Sequence, residues 1–82
     1  MKIIKFYKNG CAPCKTVEQY LESKNIPTDN VNIFDDPDAA FDYSIMSVPV
    51  TILLNNAGLE IYRVRGFDAK ELDDLIGIYK QG

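Results

Sequence analysis

Apolar residues in this chain fall into strand-length and helix-length groups that alternate from the first residues to the last. Residues 2–8 concentrate Ile, Phe and Tyr in one short run and predict a buried strand, which Asn9-Gly10 breaks. The period then changes. Cys14, Val17, Tyr20 and Leu21 recur at helical spacing and predict a helix from about Cys11 to Lys24. Asn25 suits a left-handed cap, and Pro27 prevents the helix from continuing. Thr28 to Ile33 predicts a short second strand. Asp36-Pro37 reads as an N-cap followed by proline at the first helical position, opening a short helix to about Tyr43. After the turn-like Met46-Ser47-Val48 and Pro49, Val50 to Leu54 is a strongly apolar strand. Asn55-Asn56-Ala57-Gly58 is hairpin chemistry, and Glu60 to Arg65 is the returning strand. Asp68-Ala69-Lys70-Glu71 has the pattern of a capping box and opens a last helix with Leu72, Leu75, Ile76 and Tyr79 on one face.

The predicted order is β-α-β-α-β-β-α. A helix between the first two strands implies that they pair in parallel, and the tight hairpin implies that the last two are antiparallel. The expected fold class is therefore α/β, a four-stranded mixed sheet with helices on both faces. Its 82 residues predict one domain, residues 1–82, small enough that its core has to be efficient. Hydrophobic residues make up 46% and charged residues 26%, an ordinary globular composition. A net charge of −3 with scattered Lys and Arg speaks against nucleic-acid binding. No apolar run approaches the roughly 20 residues that span a bilayer, and residues 1–8 lack the features of a signal peptide, so no membrane partner is expected and the expected compartment is the cytoplasm.

Chemistry concentrates at Cys11-Ala12-Pro13-Cys14, which holds both cysteines of the chain. On the first turn of a helix that spacing brings two sulfurs close enough to form a disulfide. The free N–H groups and partial positive charge of the helix start favour thiolate over thiol. The chemistry suggested is thiol–disulfide exchange. Weighed against it are a fixed structural disulfide, two inert buried thiols, and a zinc ion shared across a dimer. A cytoplasmic setting disfavours the first. Two cysteines and no histidine fall short of the four ligands of structural zinc.

Cys-x-Pro-Cys after the first strand, Val31-Asn32-Ile33-Phe34-Asp35, and Tyr43-Ser44-Ile45-Met46-Ser47-Val48-Pro49 together resemble the thioredoxin fold. Gly66 before the last helix also matches a thioredoxin position. The length, and Tyr7-Lys8-Asn9-Gly10-Cys11, are similar to glutaredoxins, and Arg65-Gly66-Phe67 is similar to the Ser-Gly-Phe of small glutaredoxin-like electron donors to ribonucleotide reductase. The resemblance implies that Cys11 is an exposed nucleophile and Cys14 a buried resolving thiol. It implies a cis peptide bond before Pro49, placing the Val48 backbone where substrate main chain pairs with it. Ala12, Pro13, Met46, Val48, Gly66 and Phe67 are then expected to form the surface that receives a protein substrate. No bound cofactor or metal is implied, only the redox-active Cys11–Cys14 disulfide.

The implied partners are disulfide-containing proteins, with ribonucleotide reductase one such acceptor, and a flavoprotein thioredoxin reductase that recharges the dithiol. The alternatives are a glutathione-dependent glutaredoxin and, of another class, a non-catalytic thioredoxin-like binding module. A monomer is expected. Lys5 stands apart. It occupies the position where thioredoxins carry a buried Asp that assists proton transfer to the resolving thiol, and a charged lysine is costly to bury. It is expected either to snorkel to solvent or to lie near the cysteines and favour their thiolates. No carboxylate is evident in the sequence as a substitute.

Overall fold

The sheet order is β2-β1-β3-β4, so the two most apolar strands take the centre. A computed structural model describes residues 1–82, with β1 at Lys2–Tyr7, α1 at Ala12–Ser23, β2 at Asp29–Asn32, α2 at Pro37–Asp42, β3 at Val50–Leu54, β4 at Glu60–Arg65 and α3 at Ala69–Gln81. β1 and β2 are parallel, with Phe6 in register with Val31. β3 is antiparallel to both neighbours: Phe6 lies opposite Val50, and Val50 opposite Arg65. The predicted element order, the parallel first pair and the hairpin are all present. Boundaries differ by a residue or two, as where β2 is shorter than Thr28 to Ile33 and Tyr43 caps α2 rather than ending it.

Period-two alternation sends each central strand's side chains to two separate cores. On one face Ile3, Leu53 and Val64 pack with Val17 and Leu21 of α1 and Leu72, Leu75 and Ile76 of α3. On the other, Ile4, Phe6, Val50, Ile52 and Leu54 lie under α2 and its flanking loops, where Ala39, Tyr43, Ile45 and Val48 add partial cover. Each fully buried Leu or Ile contributes roughly 1.5–3 kcal/mol relative to its exposed state. β3 is buried at all five positions because it is covered on both faces and both edges.

Side-chain caps set the helix ends. Asp36 accepts from the Ala39 N–H at 3.1 Å and Asp68 from the Glu71 N–H at 3.0 Å. α1 stops at a Schellman motif. Asn25 takes φ 57°, its N–H donates to the Glu22 carbonyl, and the Ile26 N–H donates to Leu21 at 3.0 Å. Ile26 then enters the core, so the cap also fixes where the chain leaves for β2.

Candidate functional site

Cys11 is the N-cap of α1, and Cys14 lies within the first turn. Gly10, at φ 71°, turns the chain from β1 into that cap. The two cysteines form a disulfide with Cα atoms 5.2 Å apart, within ordinary disulfide geometry. The Cys14 N–H donates to Cys11 Sγ at 3.2 Å, so the sulfur takes the place of a capping oxygen. No acidic residue occupies the first turn of α1, and the partial positive charge of its N-terminus is left to act on that sulfur. The expectation of an exposed Cys11 over a buried Cys14 needs correction in degree. In the disulfide Cys11 is 9% and Cys14 5% exposed, because the same turn that caps the helix tucks both sulfurs against it.

The Val48–Pro49 peptide is cis. Pro49 immediately precedes Val50, which is opposite Phe6, so it sits at the end of the sheet where β1 delivers Cys11. The Gly66 N–H, at φ 72°, donates to the Pro49 carbonyl at 2.8 Å and ties the start of α3's loop to this edge. Val48 is half-buried, and neither its N–H nor its C=O bonds to another backbone group. Met46, two residues before Val48, is 94% exposed, and Phe67, directly after Gly66, is 42% exposed. Phe67 is held edge-on by the Tyr20 ring at 5.6 Å, and the Tyr20 hydroxyl donates to Asp73. That bond raises the Tyr20 phenol above its usual 10.0, with partial desolvation and the Asp73 charge adding to it. Ala12 and Pro13 are exposed at the helix start.

Another flank of the disulfide carries charged side chains. A cleft of about 470 Å³ runs between the end of β1 and α1, reaching Cys11, Cys14, Lys8, Lys15 and Glu18. Beneath it lies Lys5. Its side chain is 3% exposed, so it does not snorkel; Nζ stands 3.5 Å from Glu18 Oε2. Glu18 is therefore the counter-charge of Lys5, a carboxylate the sequence did not single out. The available signal was its spacing: four residues after Cys14, it shares a helix face with the resolving position. Thr51, in register with Lys5 on β3, is fully buried with an unpartnered Oγ1. No cluster of three or more His, Cys, Asp or Glu side chains gathers to offer a metal site.

Comparison with known proteins agrees with this geometry. The glutaredoxin family model matches residues 3–53. A thioredoxin-like protein, YosR, derived from the SPbeta prophage of Bacillus subtilis, is 43% identical over 76 residues, spanning 93% of this chain and 95% of that protein. The thioredoxin of Chlamydia caviae is 36% identical over 84 aligned positions, which cover 96% of this chain and 79% of its own length. Thioredoxin 1 of Thermosipho africanus shares the fold with a TM-score of 0.76 at 24% identity, over 99% of this chain and 96% of that one.

Proposed function

Because the chain belongs to the thioredoxin–glutaredoxin superfamily and is a disulfide oxidoreductase, we propose that it works as a small thioredoxin that reduces protein disulfides. Cys11 attacks a substrate disulfide and forms a mixed disulfide. Cys14 then attacks Cys11, releases the reduced substrate and closes the Cys11–Cys14 bond. A flavoprotein reductase returns the pair to the dithiol. The setting is a reducing compartment such as the cytoplasm, and the working unit is one monomeric domain.

The observation that carries this reading is the unpaired backbone of Val48 beside the cis bond to Pro49, with exposed Met46 two residues before it and exposed Phe67 directly after the Gly66 that bonds the Pro49 carbonyl. An extended substrate segment can pair with that backbone as an added strand, while the apolar side chains cover its flanks. Ala12, Pro13 and Gly66 complete the receiving surface; the Pro49 side chain is fully buried, so its part is the cis bond that presents Val48 rather than contact with substrate. Main-chain pairing tolerates many sequences, which suits a general reductant of proteins. Ribonucleotide reductase is one such acceptor, supported by Arg65-Gly66-Phe67 beside the site. The glutathione reading draws on Lys8 at the cleft. Against it, the Asp68 carboxylate at the last helix is engaged by the Glu71 N–H rather than turned toward a peptide ligand.

Insulin-disulfide reduction tests the proposal, run once with thioredoxin reductase and once with glutathione and its reductase. Turnover in the first system is expected. Turnover only in the second makes the chain a glutaredoxin, and turnover in neither leaves a binding module. Cys14→Ser is expected to trap a mixed disulfide with substrate, and Cys11→Ser is expected to trap none.

A further inference from the structure

Cys14 has to lose a proton before it can attack, and the cleft beside it is lined by Glu18, which is paired with the buried Lys5. We propose that Glu18 is the proton acceptor for the Cys14 thiol in the resolving step and that Lys5 is the positioning residue that holds Glu18 there. The inference rests on the dithiol reading above and adds to it the source of the nucleophile's activation.

Three observations meet. Glu18 and Cys14 line the same cleft of about 470 Å³. They stand one helical turn apart on α1, a spacing that puts Cβ atoms about 5–6 Å apart and lets a single water bridge carboxylate and thiol. Lys5 Nζ lies 3.5 Å from Glu18 Oε2, with the Lys5 side chain 3% exposed and the Glu18 side chain 41% exposed. A buried ammonium without a counter-charge is costly, so the pairing is obligatory for Lys5 but not for the half-exposed Glu18. Its consequence for Glu18 is orientation. A side chain free to extend into solvent is instead held toward Lys5, at the wall of the cleft that Cys14 also lines. The couple inverts the arrangement the resemblance implied: the strand supplies the cation and the helix supplies the base.

The other groups facing Glu18 are few. β1 and the loop after it bring Lys5, Tyr7 and Lys8, and α1 itself brings Lys15 and, one turn further from the cleft, Glu22. In register with Lys5, β2 and β3 bring the uncharged Asn30 and Thr51. Glu18 is thus the one carboxylate at the cleft.

In the step, the Cys14 S–H proton passes to the Glu18 carboxylate. The Cys14 thiolate attacks Cys11 Sγ, the Cys11–Cys14 bond forms, and the bond from Cys11 to the substrate sulfur breaks. The substrate leaves as a thiolate and takes up a proton from Glu18 or from water. Two electrons have moved from the protein dithiol to the substrate disulfide.

The reduced protein mixed with dithiobis(nitrobenzoate) separates the two attacks. One thionitrobenzoate leaves when Cys11 forms the mixed disulfide, and a second leaves when Cys14 resolves it. Glu18→Gln, a change at a half-exposed position, is expected to release the first at the wild-type rate. It should release the second about a hundredfold more slowly at neutral pH, the low end of what positioned proton transfer supplies. The second rate should also become proportional to hydroxide, because solvent then has to remove the proton. Lys5→Met should slow the same phase, and Lys5→Met combined with Glu18→Gln should be no slower than Glu18→Gln alone. A second phase in Glu18→Gln with wild-type rate and pH profile overturns the inference while leaving the dithiol reading intact. A wild-type protein that gives no first phase overturns both.

Discussion

Replacing Thr51 by Val should stabilise this protein, although a Thr-to-Val change in a core is ordinarily not a neutral swap. Thr51 is fully buried in β3, between Lys5 of β1 and Val64 of β4, and its Oγ1 has no hydrogen-bond partner. In the unfolded chain that hydroxyl bonds to water. Folding strips the water and returns nothing, a loss of about 1–3 kcal/mol. Val keeps the branched Cβ, the strand preference and nearly the volume. Its extra methyl, once buried, adds about 0.8 kcal/mol. Allowing for imperfect fit, the expected gain is about 1–2 kcal/mol. With a urea slope near 1 kcal/mol per molar for so small a chain, the midpoint should rise by roughly 1–2 M at unchanged slope. The chain has no Trp, so far-ultraviolet circular dichroism of the oxidised protein is the suitable signal. A lower midpoint refutes the reasoning. It would mean that the hydroxyl has a partner after all, and Lys5, its in-register neighbour, would be the group to suspect.

Arg63 donates to the Tyr43 carbonyl at 2.8 Å and to both Glu60 carboxylate oxygens, tying β4 to the end of α2. Arg63→Ala should cost about 1–3 kcal/mol by chemical denaturation, and Arg63→Lys should not restore it, because one ammonium cannot replace the planar fork. The Arg63 hydrogen bond also holds the Glu60 carboxyl below its usual 4.5, against a smaller opposing effect of burial. A lowered folded-state value means stability present above the ordinary carboxylate range and lost as pH falls through the lowered one; Glu60→Gln should flatten that acid limb. Tyr20, held above 10.0 chiefly by its bond to Asp73, should titrate lower in Asp73→Asn than in the wild type, as read by NMR of its ring. The wild-type bond stabilises below the unfolded phenol value, and its contribution disappears as pH rises through the raised one. Finally, brief alkylation of the reduced protein should label Cys11 well before Cys14, and the reverse order would overturn the assignment of roles.

Local chemistry in the sequence was enough to determine the elements and the dithiol. Cys11 to Cys14 on a helix start, Asp36-Pro37, the Asn25 cap and the Asn55-to-Gly58 turn each act over a few residues, so their consequences could be read without knowing what lies across the sheet. The same holds for β3, whose unbroken apolar run at Val50 to Leu54 already required cover on both faces. Strand order was a different matter. The insertion of β1 between β2 and β3 depends on which apolar edges bury most together, a sum over the whole chain. The charge pair beside the site was likewise only half legible. The sequence marked Lys5 as costly to bury, but its partner Glu18 lies on a different element and alone reads as a surface charge. Only the packing of α1 across β1 buries the ammonium and turns the carboxylate toward it, because a buried charge takes its partner from whatever the fold brings within reach. Sequence determined that this chain carries a redox pair at the start of a helix. Tertiary structure decided what surrounds that pair, since long-range burial and the pairing of charges follow from contacts that no local pattern contains.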